Sequence, residues 1–205
     1  TYQRLNSALW AAAERGEIRS NQIRNLRFEQ LTDELGIEAD QATVDEMADA
    51  FVHGLGAHGD LYPGVDDLLD QLTGRAPIAI VSNGLGAEQR QKIGPLGLDR
   101  YVEVIAISGE LGVRKPDPAI FRHALDALGV HPGESVHVGD DVGADIAGAR
   151  AAGLAAGVWV NRDDGLLAEE PRRQTSQPRP EFELPDLSGL AALVEELGQL
   201  APRKA

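Results

Sequence analysis

The sequence predicts an α/β protein in which a doubly wound parallel sheet, residues 61–205, follows a small helical bundle, residues 1–60. Two observations favour this class of fold. Before residue 60 the apolar residues recur at helical spacing, and after it short β-prone runs alternate with helical segments. A third observation concerns function, because carboxylates follow one of these runs directly, as they do where open α/β sheets build their sites.

The helical part contains three amphipathic stripes joined by short connections. Each stripe is expected to face the core of a bundle. The stripes are Tyr2, Leu5, Leu9 and Ala12, then Phe28, Leu31 and Leu35, then Val44, Met47, Phe51 and Leu55. Several arginines also occur here, and we interpret them as a solvated face. They are Arg15, Arg19, Arg24 and Arg27.

Four apolar runs after residue 61 are predicted strands. They cover residues 77–81, 101–107, 135–139 and 157–161. The first run is continuously apolar, which is expected for a strand buried on both faces. Because helical segments separate the runs, the strands should be parallel. The proline-rich segment 171–185 is predicted to be a loop, and residues 187–197 a final helix.

Three chemically useful side chains fall at the ends of these strands or just before a helix. Ser82 follows the first run, Asp140 follows the third, and Lys115 lies in a loop before a helix. The carboxyl ends of parallel strands share one edge of a sheet, so these groups are expected to meet. Asn83 and Gly84 add backbone N–H groups at a helix start, which suit a phosphate.

The acids after the third strand indicate a cation. Asp140, Asp141 and Asp145 are close in the sequence, and closely set carboxylates repel one another unless a cation lies between them. A hard cation such as Mg²⁺ prefers oxygen ligands, and Lys115 can neutralise phosphate oxygens. These residues therefore predict a magnesium-dependent site for a phosphorylated ligand.

Composition limits the partners of the chain. Lys and Arg total 19 while Asp and Glu total 33, so the net charge of −14 opposes binding to nucleic acid or an anionic membrane. The chain contains no cysteine, which fits a reducing cytoplasm. The histidines lack metal-ligand spacing, and we interpret all five as ordinary surface or core residues. They are His53, His58, His123, His131 and His137.

Three segments together resemble motifs two, three and four of the haloacid dehalogenase superfamily. They are residues 80–84 (IVSNG), 115–121 (KPDPAIF) and 138–153 (VGDDVGADIAGARAAG), and their order and spacing match the family. Residues 61–65 (LYPGV) also resemble the family's return from a helical cap to its Rossmann-like core. The resemblance implies that residues 1–60 form a substrate-selecting cap domain and residues 61–205 the Rossmann-like core.

The resemblance also implies a role for each site residue. Ser82 would donate a hydrogen bond to the transferring phosphoryl group, and Lys115 would bridge that group and the nucleophile. Asp140 would bind Mg²⁺. Asp145 would orient the metal shell or Lys115, and Asp141 is a weaker candidate for the metal.

The family's first motif, Asp-x-Asp-x-Thr, does not occur in these 205 residues. In the family its first Asp is the nucleophile that becomes an aspartyl-phosphate, and its second is the general acid/base. The strand that carries it lies, in the family, between the strands that end here at Ser82 and Gly139. The sequence opens at Thr1 with no initiator Met and a helical pattern, so we expect the nucleophile upstream and little or no turnover from these residues alone.

The leading hypothesis is a capped phosphatase-like hydrolase that uses Mg²⁺ and acts on a small phosphorylated metabolite. The same family includes 2-haloacid dehalogenases, which need no metal and lack the paired acids of residues 140 and 145, so this reading ranks lower. The missing nucleophile motivates a third hypothesis, in which the protein is a non-catalytic module that binds phosphate or a protein partner.

Overall fold

The computed structural model describes residues 1–57, 59–161 and 178–200. His58 and the first part of the predicted proline-rich loop, residues 171–177, lie outside the described residues. The chain divides into a helical unit, Thr1–Asp60 with Gly84–Leu98, and an α/β unit, Leu61–Asn83 with Asp99–Ala205. Residues 84–98, which the sequence predicts to belong to the core domain, group with the helices in the structure.

The helices and strands alternate after residue 61 as the sequence predicts. The helices are α1 (Tyr2–Glu14), α2 (Ile23–Leu35), α3 (Gln41–Ala57), α4 (Val65–Leu72), α5 (Gly86–Ile93), α6 (Ser108–Leu111), α7 (Pro118–Leu128), α8 (Ala147–Ala152) and α9 (Leu190–Leu200). The strands are β1 (Ala79–Ser82), β2 (Val104–Ile107), β3 (Val136–Gly139), β4 (Ala156–Val160) and β5 (Phe182–Leu184). A π-helix, Val142–Ile146, connects β3 to α8.

The core of the helical unit forms from the predicted stripes of α1, α2 and α3. Its centre consists of Phe28, Val44 and Ala48, against which Tyr2 and Phe51 pack. One stripe extends less far than predicted, because Leu35 is 57% exposed at the last position of α2. In the same unit α5 packs against α3.

Arg27 is buried, so the prediction of a solvated arginine face is wrong at this position. Its side chain is 3% exposed and forms an ion pair with Glu88 of α5. The guanidinium carbon lies 4.4 Å from the centre of the Phe51 ring, and Nε donates to the Arg24 carbonyl oxygen at 3.3 Å. A buried guanidinium with a carboxylate partner and an aromatic face is a stable arrangement for a charge that has left water.

The strands of the α/β unit are parallel, as predicted. β1 pairs with β2, which places Ser82 opposite Ile107. β3, β4 and β5 form a second parallel sheet in that order. The described strands therefore form two sheets rather than one, and among them no backbone pairing joins β1 to β3.

Burial follows this division of the strands. Every residue of β4 is buried, because a strand lies on each side of it. The residues of β1 and β3 are only half-buried, since each strand has a partner on one side among the described residues. The prediction that the first strand is buried on both faces therefore holds only in part, because its residues are half-buried and not fully buried.

Helices cover both sheets with separate apolar clusters. Ile120, Phe121 and Ala124 of α7 pack with Ala106 of β2, while α4 and α9 pack Leu68 and Leu190 around Val158 of β4.

The segment predicted as a proline-rich loop contains a strand, β5, that the sequence does not predict. β5 pairs with β4, with Phe182 opposite Val158. Glu181, just before it, accepts hydrogen bonds from Arg150 at 2.6 Å and from the Gly157 backbone N–H at 2.9 Å.

Among the described residues, no helix combines the length and apolar character needed to cross a bilayer.

Candidate active site

The site residues of the α/β unit lie where β1 and β3 end. Ser82 is the last residue of β1, and Asp140 follows the last residue of β3. Lys115 lies in the loop between α6 and α7. Ser82 and Asp140 therefore both lie at the carboxyl end of a parallel strand.

Asn83 fixes the backbone of Lys115. Its side-chain amide donates to the Lys115 carbonyl oxygen at 3.0 Å, and its amide oxygen accepts the Lys115 backbone N–H at 2.8 Å. The peptide bond from Lys115 to Pro116 is cis. The sequence predicts a role for the backbone N–H of Asn83, whereas in the structure its side chain holds the loop of Lys115 at the end of β1.

The ammonium group of Lys115 pairs with Asp145 in the π-helix. Nζ lies 2.6 Å from Oδ1, and the two side chains are 12% and 4% exposed. An ion pair shielded from water to this extent is stronger than a surface pair. The ion pair therefore connects the loop that contains Lys115 to the π-helix that contains Asp145.

Asp145 has two further partners. Its Oδ2 accepts the backbone N–H of Asp141 at 3.0 Å, and its Oδ1 lies 2.9 Å from Nε2 of His137. Burial of the Asp145 carboxyl opposes ionisation, but the hydrogen bond with His137 and the charge of Lys115 outweigh it. The pKa of Asp145 is therefore well below its usual range, and the side chain is a carboxylate at neutral pH.

Sequence reasoning missed the contact of His137 with this cluster. It interpreted all the histidines as ordinary surface or core residues, and His137 has no spacing that marks a ligand. The one available signal was its position in the strand that precedes the acids, since alternate residues of a strand point to opposite faces.

Gly139 is required at the end of β3 by the approach of Asp145. A Cβ atom added at Gly139 would lie 2.2 Å from Cγ and from Oδ2 of Asp145. Distances this short do not occur between non-bonded atoms, so the carboxylate reaches His137 and Lys115 only because residue 139 has no side chain.

The two remaining acids of the motif differ in their surroundings. Asp141 caps the π-helix, because its Oδ1 accepts the backbone N–H groups of Gly143 at 2.8 Å and Ala144 at 3.0 Å. Asp140 is exposed, and its backbone carbonyl oxygen accepts the indole N–H of Trp159 at 3.0 Å.

The donor set present here is a partial fit to a magnesium site. Among the described residues no three His, Cys, Asp or Glu side chains lie together as a metal cluster. Mg²⁺ is commonly bound by only one or two carboxylates, with water and substrate phosphate completing the shell. The exposed carboxylate of Asp140 can supply one such ligand, whereas the oxygens of Asp145 already accept hydrogen bonds.

The structure thus brings Asn83, Lys115, Asp141 and Asp145 into one connected cluster. Ser82 is adjacent to it in the chain through Asn83. Gly84 is buried and belongs to the helical unit.

Comparison with known proteins identifies the family. The model for haloacid dehalogenase-like hydrolases matches residues 3–153, which is well over half of the chain. This protein belongs to that family, and the resemblance drawn from the three motifs is confirmed.

Relatives in the family have hydrolase names. The chain is 35% identical to the pyrimidine 5'-nucleotidase YjjG of Escherichia coli (strain K12), over 78% of this chain and 69% of that protein. It is 39% identical to the phosphoserine phosphatase of Thermus thermophilus, over 73% and 58%. It is 35% identical to the N-acylneuraminate-9-phosphatase of Rattus norvegicus, over 68% and 54%. The aligned region therefore spans little more than half of the last two relatives.

Solved structures share the fold. The HAD-hydrolase YfnB of Bacillus subtilis, solved bound to magnesium, has a TM-score of 0.79 at 26% identity, over 94% of this chain and 80% of that one. The L-2-haloacid dehalogenase of Xanthobacter autotrophicus has a TM-score of 0.73 at 24% identity, over 95% and 84%. The second likeness concerns the fold alone.

Proposed function

We propose that this protein is a magnesium-dependent phosphatase that hydrolyses the phosphate ester of a small metabolite. The observation that carries the proposal is the placement of Lys115, whose backbone is fixed by Asn83 and whose ammonium is fixed by Asp145. A cation anchored in this way is suited to an anionic group in a protein whose net charge is −14. Membership of the hydrolase family supports the same reading.

Different residues of this chain are proposed to contact different oxygens of the phosphoryl group. Lys115 Nζ neutralises charge on the phosphoryl oxygens, and the hydroxyl of Ser82 donates a hydrogen bond to one of them. The backbone N–H of Asn83 adds a donor at the end of β1. Asp145 and Asn83 keep Lys115 in place, so that little reorganisation is needed when charge moves in the reaction.

Asp140 is the proposed magnesium ligand of this chain. When bound, Mg²⁺ supplies a positive charge that stabilises the phosphoryl group and aligns it for transfer. Asp145 does not bind the metal directly in this proposal, and its role is to hold the ammonium group of Lys115. Asp141 is the weaker metal candidate, since its carboxylate caps the π-helix.

The nucleophile is proposed to lie in a strand outside these 205 residues. The half-buried strands β1 and β3, each paired on one side among the described residues, support a place for that strand between them. An Asp at its end would attack the phosphorus atom and form an aspartyl-phosphate as the P–O bond of the ester breaks and the alcohol leaves with a proton from the general acid of the same motif. Water would then hydrolyse the aspartyl-phosphate, which releases inorganic phosphate and restores the carboxylate. Residues 1–205 alone are therefore expected to give little or no turnover.

We further propose that residues 1–60 act as the cap that selects the substrate, and that the protein works in the cytoplasm. The lack of cysteine supports a reducing compartment. The expected partner is a small phosphorylated molecule rather than nucleic acid or a membrane, because the chain is strongly acidic.

The test is a hydrolysis assay on the natural protein with its upstream sequence. The panel follows the names of relatives: pyrimidine 5'-nucleotides, phosphoserine, N-acylneuraminate 9-phosphate and glyceraldehyde 3-phosphate. We expect release of inorganic phosphate that depends on Mg²⁺. Lys115→Met should lower kcat/KM by about a hundredfold or more, since a charge on the transferring group loses its partner. Lys92→Met, in α5, is the matched control and should leave the rate unchanged.

Three outcomes would contradict the proposal. If no ester is hydrolysed in a magnesium-dependent reaction, the proposed phosphatase function is excluded. Release of halide from a 2-haloacid without metal would favour the dehalogenase. Binding of inorganic phosphate without turnover, lost in Lys115→Met, would favour the non-catalytic module.

A further inference from the structure

His137 is a half-buried polar residue whose contacts extend the cluster beyond the family's motifs. It is the second residue of β3, and its side chain is 13% exposed. Its neighbours Val136 and Val138 pack in the apolar cluster of β4, α4 and α9. Because side chains alternate along a strand, His137 faces the other way, where it meets Asp145.

The ring of His137 is fixed on two sides. Nε2 lies 2.9 Å from Oδ1 of Asp145. The ring of Phe121 in α7 lies 4.9 Å away, centre to centre, at an angle of 88°, which is an edge-to-face contact. The aromatic contact fixes the plane of the imidazole, and the carboxylate contact identifies the nitrogen that is used.

Two groups share a single oxygen of Asp145. Lys115 Nζ at 2.6 Å and His137 Nε2 at 2.9 Å both contact Oδ1, while Oδ2 accepts the backbone N–H of Asp141. A carboxylate oxygen has two lone pairs and can accept from both donors. A neutral imidazole can donate here only if the proton is on Nε2.

We propose that His137 is a positioning residue, which donates from Nε2 to Asp145 and so sets the orientation of the carboxylate that holds Lys115. Without this donor the carboxylate is held by Lys115 and one backbone N–H, and it can turn about its last bond. The ammonium group would then move with it, away from its place at the strand ends. The effect on turnover rests on the proposed phosphatase function, whereas the hydrogen bond itself does not.

Two substitutions separate the donor from the bulk of the side chain. In His137→Gln the amide nitrogen reaches about as far from the backbone as imidazole Nε2, so the donor is retained. In His137→Asn the amide reaches only as far as Nδ1, so the donor is lost while the residue stays polar. His123→Asn, on the exposed face of α7, is the control.

The activity readout uses the natural protein, Mg²⁺ and its best ester. We expect His137→Asn to lower kcat about tenfold with KM nearly unchanged, as for an interaction realised mainly in the transition state. His137→Gln should restore most of the rate, and His123→Asn should match the wild type. A loss of rate in the Gln variant equal to that in the Asn variant would overturn the proposal.

A second readout does not need turnover. Nitrogen-15 NMR of the imidazole in the wild-type protein should find the proton on Nε2, and an Nε2 without a proton would overturn the proposal. Crystal structures should keep the Asp145 carboxylate in place in the Gln variant and turn it in the Asn variant. If no ester is hydrolysed, the proposed function fails, but the NMR spectrum and the crystal structures still decide the role of His137. The NMR measurement uses the wild-type protein, so it decides this even if the Asn variant does not fold.

Discussion

At the scale of single residues, the candidate site depends on an absent side chain. Gly139 ends β3, and the carboxylate of Asp145 occupies the space that a Cβ atom would need. The same carboxylate contacts His137 and Lys115. Any side chain at residue 139 must therefore move the group on which the cluster is centred.

The substitution Gly139→Ala tests this requirement. We expect it to lower the free energy of unfolding by about 1–3 kcal/mol, because overpacking forces Asp145 out of its place. Urea unfolding measures the change. The control is Gly133→Ala, where the nearest atom to the new Cβ is His131 Nδ1 at an ordinary 3.5 Å. An equal loss of stability in both variants would mean that the approach of Asp145 is not the cause.

The sequence predicts most of the cluster but not how its members are held. Asn83, Lys115, Asp141 and Asp145 all lie in motifs whose order is distinctive. The side-chain role of Asn83 does not follow, because a hydrogen bond to a residue 32 positions away depends on how loops meet. Tertiary contacts of this kind have no local signature.

At the scale of elements, a buried ion pair attaches α5 to the helical unit. Arg27 of α2 and Glu88 of α5 are both shielded from water, and α5 begins just after the loop of Ser82 and Asn83. Such a pair stabilises a fold only while both charges are present, since a single buried charge has lost its water without gaining a partner.

Glu88→Gln should therefore destabilise the protein by about 3 kcal/mol, because Arg27 stays buried without a counter-charge. Changing both residues to Met should recover most of this loss. The matched control is Glu34→Gln, which removes the exposed pair between Arg4 and Glu34 and should cost less than about 1 kcal/mol. Thermal unfolding measures all three, and similar losses in the single variants would contradict the expectation.

A second element-scale contact fastens the start of β5. Glu181 accepts from Arg150 and from the Gly157 backbone. Partial burial raises the pKa of this carboxyl, but the two hydrogen bonds outweigh it and lower the pKa below its ordinary 4.5. The ionised carboxylate therefore increases the free energy of unfolding above pH 4.5. This increase is lost as the pH falls from about 4.5 through the lowered pKa of the folded protein.

Glu181→Gln is expected to show this dependence. It should lose about 1 kcal/mol at pH 7, since a charged acceptor is replaced. The difference from wild type should close as the pH falls from about 5.5 to below 4. Urea unfolding across this range measures it, with the exposed Glu195→Gln as control. A difference that stays constant with pH would show that the ionised form is not responsible.

The elements themselves are largely predictable. The ends of the strands lie within a few residues of the predicted runs, because apolar β-prone stretches bounded by glycine and polar residues are local features. The strand β5 was missed, since it has three residues within a proline-rich segment. Its pairing with β4, not its own composition, makes it a strand.

At the scale of the whole molecule, the α/β unit contains two parallel sheets with half-buried strands β1 and β3. A strand with one unpaired edge exposes backbone N–H and C=O groups that need partners. The sequence resemblance predicts one central strand between them, and this remains a prediction that exchange of amide protons can test.

If the natural protein contains the proposed central strand, hydrogen exchange should differ between that protein and residues 1–205 alone. The added strand should slow exchange at the amides of β1 and β3, because they gain partners or lose contact with water. β4 already has a strand on each side and is the internal control. Fast exchange at β1 and β3 in both proteins, with β4 protected, would exclude the central strand.

The hydrogen bond from the Trp159 indole N–H to the carbonyl oxygen of Asp140 makes tryptophan fluorescence a probe of the surroundings of Asp140. Only one other tryptophan, Trp10, is present, and it lies in α1. If Asp140 binds a divalent ion as proposed, the emission of Trp159 in a Trp10→Phe background should change when Mg²⁺ is added, since the indole N–H donates to the backbone carbonyl oxygen of Asp140. Fluorescence could then follow metal occupancy in the absence of any substrate.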